Sequence, residues 1–202
     1  MLERVLMYDS PVSGNCYKVR LLLAHLGVRY ERRTVDVVDR SDRRELLGAL
    51  NPALRVPTVV LDDGRPLAES NAILCYFAEG TPYLPTDRYE RAQTMQWLFF
   101  EQYSHEPYVA VLRFALRYAA TKPPAAELEA RRKGALAALD AMERHLAEHS
   151  YLVAERYTIA DIALYAYTHV AEDADLDLGP YPHIRAWLDR VAAQPGHVAL
   201  SA

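Results

Sequence analysis

Tyr8-Asp9-Ser10-Pro11-Val12-Ser13-Gly14-Asn15-Cys16-Tyr17-Lys18-Val19 runs from a strand end through a loop into a helix. Upstream, Val5 to Tyr8 is a short apolar run that predicts a strand. Pro11 and Gly14 mark the loop. Downstream, Val19, Leu22, Leu23 and Leu26 recur at the spacing of one helical face. Gly27 then closes a helix over Cys16 to Leu26 as a C-terminal cap. The backbone N–H groups at the start of such a helix have no partner inside it, and its dipole favours negative charge there. Ser13 stands at that start, where it is either a simple N-cap or a hydroxyl donor to an anion. A thiolate is one such anion. Lowering a thiol pKa by about 2 units needs a preference for the thiolate of roughly 2.7 kcal/mol, within reach of one hydroxyl and a helix end.

Working outward, Tyr30 to Val38 predicts a second strand and Arg43 to Leu50 a short helix, stopped by Asn51-Pro52. Thr58 to Leu61 and Arg65 to Leu67 flank the turn Asp62-Asp63-Gly64 as a hairpin. Glu69 to Ala78 predicts a helix that ends at Gly80. The order is β-α-β-α-β-β-α, which implies a mixed sheet with helices on its faces. After Thr81-Pro82-Tyr83-Leu84-Pro85 the pattern becomes helical throughout. Arg91 to Tyr118 reads as one long aromatic helix, with a kink or break expected near Pro107. Leu128, Ala135, Leu139, Met142 and Leu146 line one face of the next helix. Thr158 to Thr168 and Pro182 to Gln194 complete the set.

Two further segments carry chemistry. In Asn51-Pro52-Ala53-Leu54-Arg55-Val56-Pro57-Thr58-Val59, a proline at a strand start cannot donate to the ladder. It is either an ordinary edge proline or, with a cis bond, a device that turns the N–H and C=O of Val56 outward to pair with an extended peptide. In Leu67-Ala68-Glu69-Ser70-Asn71-Ala72-Ile73, Ser70 opens a helix whose free N–H groups can hold a carboxylate. Glu69 beside it can hold an ammonium, and the pair then suits an amino-acid head group.

Composition narrows the field. A net charge of -4 leaves no basic excess to neutralise a phosphate backbone, so nucleic acid is not expected as a partner. The charge run from Arg29 to Glu45 mixes both signs and reads as a solvated face. The two cysteines, Cys16 and Cys75, form no CxxC pair and no metal-ligand cluster, so no metal and a reducing cytoplasm are expected. Met1-Leu2-Glu3-Arg4 lacks the pattern of a secretory leader. No apolar run is long enough to span a membrane, so no membrane partner is expected.

The serine-bearing loop, the Val56-Pro57 strand start and the Glu69-Ser70 helix start, in this order, resemble the N-terminal domain of cytosolic glutathione transferases. The segment Gly14-Asn15-x-x-Lys18-Val19 is similar to the serine-type classes, zeta-like and some bacterial ones. Tyr157-Thr158-Ile159-Ala160-Asp161-Ile162-Ala163 resembles the capping motif of their helical domain. There Thr158 and Asp161 fit a capping box, and Tyr157 and Ile162 fit a hydrophobic staple.

The resemblance implies an α/β thioredoxin-like domain over residues 1–80, a linker over 81–86 and an all-α domain over 87–202. It implies that Ser13 activates the glutathione thiol, with Asn15 assisting and Tyr8, near the end of the first strand, as the rival. Val56 before Pro57 would clamp the cysteinyl backbone, and Glu69 with Ser70 would hold the γ-glutamyl end. Arg55 or Arg40 would meet the glycine carboxylate. Tyr103, Tyr108, Arg113 and Tyr118 lie on the helix that faces the thiol in this family, as a wall for a small hydrophobic electrophile or as core and dimer contacts. Cys16 is expected to pack in the first helix. Glutathione enters as cosubstrate, with no tightly bound cofactor, and a homodimer is implied. Three activities share this frame: transfer to an electrophile, glutathione-dependent disulfide or peroxide reduction, and ligand binding without catalysis.

Overall fold

The computed structural model describes residues 5–202; Met1 to Arg4, on which the expectation about a leader rests, lie outside them. Two compact units divide the chain. One comprises the residues up to Glu79 together with Pro195–Ala202, and the other is Gly80–Gln194. The expected assignment of 195–202 to the helical domain is therefore corrected. Side chains of the first unit take up the carbonyls of this tail, an attraction that no sequence pattern announces.

The first unit is built on strand β1 (Val5–Asp9), helix α1 (Gly14–His25), β2 (Tyr30–Thr34), α2 (Arg43–Leu47), β3 (Thr58–Val60), β4 (Pro66–Ala68) and α3 (Ser70–Ala78). The sheet order is β2-β1-β3-β4, with β1 parallel to β2 and antiparallel to β3, and β3 antiparallel to β4. This is the mixed, thioredoxin-like arrangement that the element order implies. Alternation along β1 sends successive side chains to opposite faces. Asp9 turns toward α1, where Arg20 binds it. Tyr8 takes the other face and packs with Val35 and Leu47. β2 stops four residues before the expected Val38, because the Asp36 carboxylate captures the N–H groups of Val38 and Asp39 at 2.7 and 3.0 Å. α1 ends as expected: Gly27 has φ 64, and Gly27 N and Val28 N donate to Ala24 O and Leu23 O.

The second unit contains α4 (Arg88–Phe100), α5 (Glu106–Arg117), α6 (Ala125–Leu146), α7 (Ile159–Thr168) and α8 (Pro182–Ala192). The single helix expected over Arg91 to Tyr118 is α4 and α5 with a π-helical turn, Glu101–His105, between them. Pro107 sits in the first turn of α5, where its missing N–H costs nothing, and the preceding i→i+5 turn absorbs the change of register. Each residue of α7 is buried, and the capping box at its start is complete. Asp161 accepts from Thr158 N, Leu152 N and Trp187 Nε1 at 2.9, 3.0 and 2.9 Å, tying the α7 start to the preceding loop and to α8.

Candidate functional site

Ser13 is the N-cap of α1, with extended backbone at φ -84 and ψ 118. Its Oγ accepts the N–H of Cys16 at 3.3 Å, and its own N–H donates to Ser10 O at 3.1 Å. Its hydroxyl also hydrogen-bonds the Cys16 thiol, and the side chain is half-buried. Ser13 is thus the cap of α1 and places a hydroxyl at a helix N-terminus.

Cys16 faces inward. Its Sγ accepts the Ser10 N–H at 3.4 Å, and it is wholly buried. Burial, followed by the charge of Asp9, pushes its thiol up to about 12. Hydrogen bonds from the Ser13 side chain and the Ser10 N–H act in the opposite direction but do not prevail, so this sulfur stays protonated. Asp9, which precedes the loop, is gripped by Arg20 Nη1 at 2.9 Å on both carboxylate oxygens and by Arg32 at 2.7 Å. The position of the loop is therefore fixed by a buried ion pair beneath it.

Asn15 does not stand alone beside the loop. Its Oδ1 accepts from Ser70 Oγ at 3.2 Å, so the N-termini of α1 and α3 are joined. Ser70 is buried as the first residue of α3, and Lys18 Nζ reaches both its Oγ at 3.3 Å and Asn71 Oδ1 at 3.4 Å. Glu69 immediately before is exposed and has φ 70 and ψ 114, a region that L residues rarely occupy. The Val56–Pro57 bond is cis. Val56 is half-buried and makes no hydrogen bond among the described residues. The loop before it is held by Asn51, whose Nδ2 donates to Arg55 O at 3.0 Å and Thr58 Oγ1 at 3.1 Å. Arg55 itself is exposed, as is Arg40, whose Nε donates to Val37 O at 3.5 Å.

The structure therefore joins Asn15 and Ser70 with Lys18 and Asn71, while Ser13 caps the same helix α1 without a bond to that network among those described. Tyr8 is placed elsewhere: its ring lies in the core on the sheet face away from α1, with the Arg33 guanidinium 5.6 Å from its centroid. Sequence reasoning missed Lys18 as a site residue, and missed Asp9 and Arg20 beneath the loop. The available signal was Leu21-Leu22-Leu23, which makes α1 apolar on every side and so forces its charged residues into the interior.

Of the four residues expected as a second-substrate wall or as core and dimer contacts, Arg113 and Tyr118 are joined, while Tyr103 faces solvent and Tyr108 packs on α6. Tyr103 is 84% exposed in the π-helical turn. Tyr108 packs on α6 so closely that a Cβ at Gly134 would fall within its ring. Arg113 is buried and committed to Asp173 at 3.0 Å and to the Tyr118 hydroxyl at 3.0 Å, with its guanidinium 5.2 Å from the Tyr118 ring. Helical spacing put these residues on one helix, but the π-helical turn interrupts it between Tyr103 and Tyr108. Among the described residues no group of His, Cys, Asp and Glu can hold a metal ion, and no helix is long and apolar enough to cross a membrane.

A thioredoxin-like unit with this loop, this strand start and this helix start, continued by a bundle of helices, defines a thiol-handling two-unit class. Residues 12–79 match the model described as "Glutathione S-transferase, N-terminal domain", and residues 93–195 the model described as "Glutathione S-transferase, C-terminal domain". The chain belongs to the glutathione S-transferase family. The crystal structure of a glutathione S-transferase from Pseudomonas fluorescens [Pf-5] superimposes with a TM-score of 0.94 and 46% identity, covering 98% of this chain and 99% of that one. Glutathione S-transferase 3 of Zea mays is 31% identical over 94% of this chain and 89% of its own. Disulfide-bond oxidoreductase YfcG of Escherichia coli (strain K12) is 28% identical over 94% of this chain and 90% of its own.

Proposed function

We propose that this protein is a glutathione transferase that ionises the tripeptide's thiol at the N-terminus of α1 and directs the sulfur at a small apolar electrophile. The observation that carries the reading is the half-buried Ser13 hydroxyl at the N-terminus of α1, its oxygen held in place by the N–H of Cys16. The thiol proton leaves to water, and the Ser13 O–H donates to the thiolate. The sulfur then forms a bond to the electrophilic carbon while the leaving group departs with its electron pair. Val56, free of internal hydrogen bonds among the described residues, pairs with the cysteinyl backbone. Glu69 and Ser70 take the ammonium and carboxylate of the γ-glutamyl end. Asn15 assists by holding Ser70 in place. Exposed Arg55, next to Val56, takes the glycine carboxylate in preference to Arg40. Family membership and the P. fluorescens relative support this reading.

For Ser13→Ala we expect turnover to fall about 100-fold, the scale of losing one donor to a developing anion, with glutathione affinity changed no more than a few-fold. Ultraviolet absorbance of the bound thiolate against pH tests the cause. The bound thiol should ionise about 2 units below free glutathione in the wild type and near the free value in the variant. Unchanged turnover in Ser13→Ala overturns the assignment.

The name of the YfcG relative favours a second reading, glutathione-dependent disulfide reduction. Turnover of an aryl halide against hydroxyethyl disulfide separates the two, and no aryl halide activity removes the transferase. We also infer a homodimer in the cytoplasm. Tyr89, Phe99 and Tyr103 stand 71%, 72% and 84% exposed on α4 and the turn after it, a stripe that a second copy would cover. Sedimentation of a 22.9 kDa species at micromolar concentration would refute the dimer.

A further inference from the structure

We propose that Lys18 is a positioning residue that sets this site's affinity for the γ-glutamyl carboxylate, acting through Ser70. The proposal rests on the glutathione-binding reading above and adds a residue to it. Lys18 lies on α1 with its side chain wholly buried, yet its Nζ ends at the first turn of α3, 3.3 Å from Ser70 Oγ and 3.4 Å from Asn71 Oδ1. Ser70 Oγ in turn donates to Asn15 Oδ1 at 3.2 Å.

The direction of these bonds matters. An ammonium has only donors, so Lys18 occupies a lone pair of the Ser70 oxygen and obliges that hydroxyl to donate. In the unliganded network its proton goes to Asn15. A carboxylate arriving at the α3 N-terminus is a stronger acceptor than an amide oxygen, because the bond it accepts is charge-assisted. The Ser70 proton then turns to the ligand, and the ammonium behind it adds positive charge to that of the helix end. Burial keeps this charge from being screened by salt. Ser70 alone, or the helix end alone, would bind an anion weakly; the buried lysine gives the site a preference for one formal negative charge at that spot. The exposed Glu69 carboxylate next to it leaves the ammonium of the same head group its own place.

The full-length protein tests this with Lys18→Met and Lys18→Arg, titrated with glutathione, with glutaryl-cysteinyl-glycine, which lacks the amino group, and with γ-aminobutyryl-cysteinyl-glycine, which lacks the γ-glutamyl carboxylate. Lys18→Met should weaken glutathione and the glutaryl analogue about 10- to 100-fold, the scale of a hydrogen bond to a charged group. The analogue without the carboxylate should change less than about twofold, because it never uses the charge. The effect should fall on KM and leave kcat within about twofold, since Ser13 is intact, and Lys18→Arg should restore most of the affinity. Equal losses for all three ligands, or glutathione binding unchanged in a folded Lys18→Met, would overturn the proposal. If Lys18→Met does not fold, the wild type decides: equal affinity for glutathione and for the analogue without the carboxylate overturns the proposal as well. A wild type that binds no glutathione at all refutes the glutathione-binding reading itself, an outcome distinct from any of these.

Discussion

At Glu69 the backbone stands at φ 70 although the residue carries a Cβ. Non-glycine residues held in sparsely populated regions cost about 1–3 kcal/mol and persist where the surroundings impose them. Here the imposing neighbours are β4 on one side and the buried start of α3 on the other. Glu69→Gly should relieve that strain, and after the entropy that glycine adds to the unfolded chain a net stabilisation of about 1 kcal/mol should remain. It should also weaken glutathione binding, because the carboxylate is gone. Glu69→Ala loses the same carboxylate but keeps the strain, so its denaturation midpoint should not rise. A urea titration of the three proteins checks this, and a Glu69→Gly midpoint no higher than wild type refutes it. Local chemistry made the cap at Ser13, the helix start at Ser70 and the Val56-Pro57 step legible in the sequence. Their roles depend on residue type next to a helix or strand end, which short spacing reveals. Lys18, Asp9 and Arg20 were not legible, since their bonds cross from one element to another and any buried cation in α1 has several helices to choose from.

Among the elements, α7 is the one whose start the sequence marks most fully. Thr158 and Asp161 close the box, and Trp187 on α8 adds a donor that spacing could not disclose. Asp161 accepts from backbone and side-chain donors and donates nothing in return, so Asp161→Ala would leave Leu152 N and Trp187 Nε1 without that acceptor. A loss of about 3 kcal/mol or more is expected, read as a drop in the melting temperature of the helical unit. The carboxyl also titrates. Burial pushes it up to about 6 from the ordinary 3.8 of an aspartate, against the hydrogen bonds it receives. A raised carboxyl means that the folded chain binds the proton more tightly than the unfolded one. Its contribution to stability is therefore complete below about pH 4 and lost as pH rises through about 6. Asp161→Asn should remove that slope from a plot of urea stability against pH; an unaltered slope would assign it to another group. The same scale shows where patterns fail. Pro107 announced a break in the long helix, but its form is visible only in the fold: an i→i+5 turn that leaves Tyr103 exposed while Tyr108 meets Gly134.

For the whole molecule, the order of strands and helices and the change to an all-helical second half were readable because each rests on a period of two or 3.6 residues. The path of residues 195–202 was not. Their carbonyls bind Tyr17 Oη, which donates to Val198 O at 2.7 Å, Arg20 Nη2, which donates to Leu200 O at 2.6 Å, and Arg32 Nη1, which donates to Ala202 O at 2.8 Å. His25 Nδ1 lies 2.9 Å from Pro195 O. Every residue has a carbonyl, so no residue type signals such a clasp. A chain shortened after Gln194 should lose on the order of 3 kcal/mol from the first unit. Hydrogen exchange should quicken in α1 and β2 and stay constant in α7, which belongs to the other unit. Equal quickening in both units, or none, would contradict the clasp.

A ribosome that has released residue 80 has not yet made residue 195, so the first unit must wait for the helical one to be translated before Arg20 and Arg32 receive their last partners. Until then Tyr17, Arg20 and Arg32 lack the carbonyls of that segment, so the first unit closes only after the second has been made.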